Sequence, residues 1–400
     1  MGTDDIFQSI DQDRALFFLQ SLVQINSVNP PGNERLVAEY IEEWLKNSGL
    51  DVAVNHLEDN RSNITVTLNG SVDSKHPRQH LFFSGHLDTV PLGNKEWTEE
   101  PWGGQVHAGK LYGRGSSDMK SGVAAMILAL EALSRSNVQL QGDLSFLGTV
   151  GEEVDGRGAR SAILKGDVST ATAMVIGEPT DNQVLIAHKG VLWLEVTIHG
   201  KTAHAGWPDK GVNAISAMHH FVSEFEKFQP IHDKILGQPT MNLGLVNGGI
   251  APNMVADYCQ MTFDMRTVPG LESEDVYRRA QDLLSALSET MDISFEIKVL
   301  NDMHYVSTAQ EHPFIQLAAD VLEQTLNKQP IFGGANYYSD GSLFTKENKE
   351  MPILIFGPGN PDQAHQPDEW VAINNFYDSI RFYISLALSY LGENDERMTN

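Results

Sequence analysis

Apolar residues recur along this chain with two periods, and the change from one to the other divides it. Over residues 34–45, Leu36, Val37, Tyr40, Ile41, Trp44 and Leu45 share one face of a 3.6-residue helix, with Asn33 placed to cap it. Unbroken apolar runs at Leu81–Ser84, Leu144–Val150 and Met174–Ile176 predict buried strands, and an Ala-, Leu- and Met-rich helix over Ser121–Leu133 separates the first two. Helices alternating with buried strands imply an α/β domain whose mostly parallel sheet is covered by helices. In such sheets the functional groups sit beyond the carboxyl ends of the strands.

From about residue 190 the pattern becomes strict alternation: Leu192, Leu194, Val196 and Ile198 interleave with Trp193, Glu195, Thr197 and His199. A helix over about Gly211–Phe228 follows, then strands near Met241–Val246 and Ala256–Arg266. A helix over Glu272–Thr290 and a strand through Ile293, Phe295, Ile297 and Val299 complete the series. The order β-α-β-β-α-β is that of a ferredoxin-like unit. The expected organisation is a discontinuous catalytic domain, residues 1–189 and 300–400, with a ferredoxin-like domain, residues 190–299, inserted in it.

Composition narrows the function. Four hundred residues exceed what one compact core usually holds, and 41% apolar content suffices for a sizeable interior. A net charge of −25, from 28 Lys and Arg against 53 Asp and Glu, argues against a nucleic-acid partner. The single cysteine, Cys259, excludes an intramolecular disulfide and fits a reducing compartment, and its strand companions Met261, Phe263 and Met265 place it in a core. The acidic start, with Asp4, Asp5 and Asp11, lacks the features of a signal peptide, and the longest apolar run, Gly122–Leu130, is too short to cross a bilayer. A soluble, cytoplasmic protein without a membrane partner is expected.

Chemistry concentrates in five short segments: His86-Leu87-Asp88, Asp118-Met119-Lys120, Glu152-Glu153, Glu178-Pro179 and His365-Gln366-Pro367. Alone, each has a plainer reading: a surface turn for His86 and Asp88, a helix cap for Asp118, a solvated acidic pair for Glu152 and Glu153. Together they supply two imidazoles, three carboxylates for a pair of divalent metals and a spare glutamate as general base. His86 and Asp88, two apart on an extended chain, share a face, so the Asp88 carboxylate is expected to accept a hydrogen bond from the imidazole.

The segments Gly85-His86-Leu87-Asp88-Thr89-Val90-Pro91, Gly115-Ser116-Ser117-Asp118-Met119-Lys120, Glu152-Glu153, Gly177-Glu178-Pro179-Thr180 and His365-Gln366-Pro367-Asp368-Glu369 resemble the aminoacylase/carboxypeptidase G family of co-catalytic zinc hydrolases. Within it they are most similar to the acetylornithine deacetylase and succinyl-diaminopimelate desuccinylase branch, in order along nearly the whole chain. The resemblance implies that Asp118 bridges two metals and has a cis peptide to Met119. His86 and Glu178 complete one metal, Glu153 and His365 the other. It further implies Glu152 as general base, Asp88 as the partner of His86, and an inserted domain that dimerises. His204 would then reach the neighbouring subunit's site, while Asn253, Arg266 and the Gly341 turn bind substrate. Ser342 departs from the desuccinylases, which carry arginine after Ser-Asp-Gly, and Ala187-His188-Lys189-Gly190 looks more like the deacetylases.

The expected reaction is removal of a small acyl group from an N-acyl amino acid by attack of a metal-bridging hydroxide. Glu152 takes the proton and returns it to the amine, and His204 helps stabilise the oxyanion. Oxygen and nitrogen ligands without thiolate suit zinc, with cobalt or manganese as substitutes. The alternative is a metallo-carboxypeptidase or dipeptidase using the same site, and a retired, non-catalytic scaffold is disfavoured because no ligand or base is missing.

Overall fold

The structure is a computed structural model describing residues 2–71, 78–227 and 231–392. It falls into two compact units. The first comprises Met1–Ala187, Ser307–Gly333 and Ser339–Asn400; the second comprises His188–Val306 with Gly334–Tyr338. The expected domain end at residue 299 lies inside a strand, Ser294–Met303.

The main sheet of the first unit runs, edge inward, Asp51–Glu58, Arg61–Leu68, Asp143–Thr149, His80–His86, Ala173–Ile176 and Ile353–Ile355, and continues to Leu185–His188 and Val306–Ser307. The four strands Asp143–Thr149, His80–His86, Ala173–Ile176 and Ile353–Ile355 are mutually parallel. Antiparallel pairing joins Arg61–Leu68 to this block and Asp51–Glu58 to Arg61–Leu68. That hairpin has no apolar run to betray it. Arg61, Ser62 and Asn63 are buried polar residues, held by an Arg61–Glu34 ion pair at 2.5 Å and by Asn63 donating to the Gly158 carbonyl at 2.9 Å.

The helix predicted over Ser121–Leu133 spans Lys120–Arg135 and is buried from Lys120 to Leu133, so its apolar residues pack on every side. It packs against strand His80–His86 and against the long helix Ile373–Leu391. Asn33 does precede a helix, Glu34–Leu45, but its side chain makes no capping bond; Val37, Ala38, Ile41 and Leu45 carry the buried face. A small antiparallel sheet, Val106–His107, Lys110–Tyr112 and Trp370–Ala372, sets Trp370 opposite Tyr112. It thereby brings the end of the His365 loop beside the turn that follows Tyr112.

The second unit is a βαββαβ fold. Strand Gly190–His199, helix Ala214–Phe225, strands Thr240–Gly248 and Tyr258–Thr267, helix Ser273–Thr290 and strand Ser294–Met303 follow in sequence. The antiparallel sheet has the order Thr240–Gly248, Tyr258–Thr267, Gly190–His199, Ser294–Met303, as in a ferredoxin-like unit. Leu192, Leu194, Val196 and Ile198 meet Phe221, Phe225, Val276, Ala280 and Leu284 in its core, and Cys259 is buried among them. Phe263 packs edge-on to Phe221 and Phe225, at interplanar angles of 90° and 82°. The first helix starts at Ala214, where Asn213 caps Ile215 and Ser216, and not at Gly211; the expected end at Phe228 lies outside the described residues. Among the described residues no helix is long and apolar enough to cross a membrane.

Candidate active site

The four parallel strands of the first unit each deliver one piece of chemistry at their carboxyl ends. Thr149 leads to Glu152 and Glu153, His86 closes its own strand, Ile176 leads to Glu178, and Ile355 leads to the His365 loop. Asp118 enters from the turn before helix Lys120–Arg135. It does not cap that helix, whose N-cap position is Met119 without a side-chain bond. The Asp118–Met119 peptide is cis.

Asp118 stands between the two imidazoles. Its Oδ1 lies 3.0 Å from His86 Nε2 and its Oδ2 lies 3.4 Å from His365 Nε2. Glu178 Oε1 is 3.8 Å from His86 Nε2, and Glu153 is 3.3 Å from His365 Nε2. One oxygen of Asp118 thus faces a His86–Glu178 pair and the other a His365–Glu153 pair. Ligand atoms of His86, Asp118 and Glu153 all fall within 4.8 Å of one another.

The role expected of the Asp88 carboxylate belongs to its main chain. His86 Nδ1 lies 3.0 Å from the Asp88 carbonyl, against 3.7 Å from the nearest carboxylate oxygen. Because a carbonyl only accepts, Nδ1 carries the proton and Nε2 is left to face Asp118. The carboxylate instead accepts from the main-chain N–H groups of Gly151, Glu152 and Glu153 and from Asn29 Nδ2. Gly151 opens that turn at φ +77°, a backbone that favours glycine.

Burial pushes Glu152 and Glu178 well above the ordinary carboxylate range, and neighbouring acids push them further while His86 pulls the other way. Burial alone would lower His86, but Glu178, Asp118 and Glu152 override it and raise its pKa well above the usual imidazole value. Hydrogen bonds to Asp118 and Glu153 raise His365 to about 10. Asp118 is held below its ordinary value by its bonds to His365 and His86, despite burial. A crowd of acids in a dry rim, short of positive charge, is what divalent cations neutralise. The donor set of imidazole nitrogen and carboxylate oxygen fits such ions.

Gly341 begins helix Gly341–Glu347 in the first unit, and its N–H donates to Ser339 Oγ at 3.2 Å. Beside it, Asp340 accepts from Thr149 Oγ1 at 2.6 Å, and burial raises its pKa to about 6. In the second unit His204 and Asn253 lie on neighbouring segments: His204 bridges to Met254, and Ala205 N donates to the Asn253 carbonyl at 3.0 Å. His204 Nδ1 accepts from Gly206 N. Arg266 is gripped by Asp264 through bonds of 3.0 and 3.1 Å. Residues assigned no role by the sequence, Glu34, Arg114 and Glu369, turn out to brace the site. Asp368-Glu369 did stand within the His365 motif, but nothing in a linear sequence marks a glutamate as fully buried.

A model of peptidase family M20/M25/M40 matches residues 82–389. A probable succinyl-diaminopimelate desuccinylase of Staphylococcus aureus (strain N315) is 28% identical, over 94% of this chain and 97% of its own. An acetylornithine deacetylase of Proteus mirabilis (strain HI4320) is 30% identical, over 90% and 91%. In fold, the aminopeptidase PepT of Bacillus cereus ATCC 10987 superposes with a TM-score of 0.78 at 21% identity, covering 95% of this chain and 99% of its own.

Proposed function

The chain belongs to peptidase family M20/M25/M40, a hydrolase family, and from that premise we propose that it removes a small acyl group from an N-acylated amino acid at a centre of two divalent metals. The observation that carries this reading is the placing of Asp118, one oxygen toward His86 and the other toward His365, with a glutamate beside each imidazole. His86 and Glu178 would hold one ion, His365 and Glu153 the other, and Asp118 both. Zinc suits these donors, with cobalt or manganese as substitutes. Ions bound there supply Lewis acidity and make water a nucleophile near neutral pH.

The protein's own part is proton handling and orientation. Glu152, buried on the same turn as Glu153, is raised in pKa, which suits a group that must hold a proton between taking it from water and giving it to the leaving amine. The main-chain grip of Asp88 keeps Glu152 and Glu153 from swinging. We assign His204 to polarising the scissile carbonyl and Asn253 and Arg266 to a substrate carboxylate. The Asp264 grip aims the Arg266 guanidinium, and Lys189, its pKa lowered by burial and by Arg266, adds a second cation nearby. A homodimer formed through the second unit is supported by its edge strand Thr240–Gly248, where Leu245 and Val246 are 71% and 68% exposed.

The test is a substrate panel of N-acetylornithine, N-succinyl-diaminopimelate, N-formyl amino acids and simple dipeptides, assayed with zinc and with cobalt. Preferential release of a free amine from an acylated amino acid is expected. Preferential cleavage of dipeptides would replace the deacylase reading with a peptidase.

A further inference from the structure

Glu369 is fully buried, four residues beyond His365, and has no part in the chemistry so far described. Its carboxylate receives four hydrogen bonds. Oε1 accepts from the main-chain N–H groups of Ser117, at 2.8 Å, and Asp118, at 2.9 Å. Oε2 accepts from Gly115 N, at 3.0 Å, and Arg114 Nη1, at 2.6 Å. The same Arg114 nitrogen donates to the Gln366 carbonyl at 3.2 Å, and Nη2 donates to the Pro91 carbonyl at 3.3 Å. Gly115 lies at φ +84°, and a Cβ there would meet the Thr89 side chain at 2.7 Å, so the turn tolerates little other than this path.

We propose that Glu369 is a positioning residue for the metal centre, presetting the main chain of Asp118 and tying it to the loop that carries His365. The claim rests on the two-metal reading above. The amides of a tight turn in a dry interior must find acceptors, and a carboxylate offers two oxygens that can each take two donors. Glutamine fills the same space but turns one of those oxygens into an N–H₂ facing two further donors. Aspartate keeps the charge but is one methylene too short to reach the turn. The Asp88 carboxylate plays the same part for Gly151, Glu152 and Glu153, so the turns carrying Asp118 and Glu153 are each fastened by one buried carboxylate to their amides.

The experiment is calorimetric titration of zinc chloride into metal-stripped protein, with thermal unfolding of the same metal-free samples. Partners that orient metal ligands typically contribute about 10- to 100-fold in affinity, and Glu369→Gln is expected to lose that much. Glu131→Gln is the control. It breaks a buried carboxylate's pairing with Arg135 of its own helix and with Arg14 of helix Gln12–Gln24, and should bind zinc within about twofold of the parent, whatever its thermal midpoint. If Glu369→Gln fails to fold, Arg114→Met combined with Glu369→Gln leaves no buried guanidinium unpaired and should show the same loss. Zinc affinity within twofold of the parent, in whichever variant folds, overturns the proposal. A parent that binds less than one zinc per chain overturns the two-metal reading itself, a separate result.

Discussion

In the first unit the buried polar residues gather at one rim of the sheet, where Asp88, Glu152, Glu178, Asp340 and Glu369 lie within a few strands of one another. The second unit has an interior of Leu, Val, Ile, Phe and Met packed between one sheet and two helices, with few buried polar groups. Burying charge costs several kcal/mol per ion unless it is paired, bonded or neutralised by a cation. The first unit therefore commits its buried charge to mutual constraint, and its weak points are chemical. The second draws mainly on apolar contact, so most of its weak points are matters of packing.

Substitutions should separate these two kinds of weakness. The largest effect belongs to Glu152→Gln, which keeps shape and removes the proton acceptor; kcat should fall by about 10²- to 10⁴-fold. Metal analysis and thermal unfolding of the same sample should match the parent, and retained turnover would put the base elsewhere. In the second unit Phe263→Ala deletes a fully buried ring that contacts Phe221 and Phe225, and urea denaturation should show a loss of about 3–5 kcal/mol. Zinc affinity of the remaining folded protein should be unchanged.

His188 is the second unit's exception, a buried imidazole whose pKa burial lowers to about 4. The unfolded chain takes up this proton below about pH 6.5 and the folded protein only below about 4, so acid favours unfolding in that window. This residue's contribution to stability is full above pH 6.5, declines as pH falls, and is lost by about pH 4, a change of up to about 3 kcal/mol. Denaturation at pH 7 and pH 4.5 should show a smaller acid loss in His188→Gln than in the parent. The smallest effect on folding should come from Val246→Lys on the exposed edge strand, within about 0.5 kcal/mol. Sedimentation of that variant should nonetheless show dissociation if this edge pairs two copies; an unchanged mass would move the dimer interface elsewhere.

How far the sequence could be read followed the range of the interactions involved. The alternation in Leu192–His199 and the apolar runs before His86, Glu152 and Glu178 are local, and the strands formed there. The hairpin Asp51–Leu68 was illegible because, beside Ile64 and Val66, it buries the polar run Arg61-Ser62-Asn63, whose Arg61 and Asn63 are satisfied by Glu34 and Gly158, remote in sequence. The partner of His86 was read as the Asp88 side chain because alternate residues share a face. Spacing could not say that the nearer acceptor was that residue's carbonyl, while the carboxylate bonded to residues 151–153.

The linear chain determined which residue types are available and where strands end, since apolar period and its interruption depend on neighbours a few positions apart. It therefore specified an α/β frame with a mostly parallel sheet covered by helices, a βαββαβ insertion and a set of acids and imidazoles at loop positions. Only the tertiary structure decided that Asp118 turns one oxygen to each imidazole and that Glu369 grips the turn from 251 residues away along the chain. A hydrogen bond is set by distances of about 3 Å, and which main-chain amide meets which carboxylate is settled when the strands align side by side.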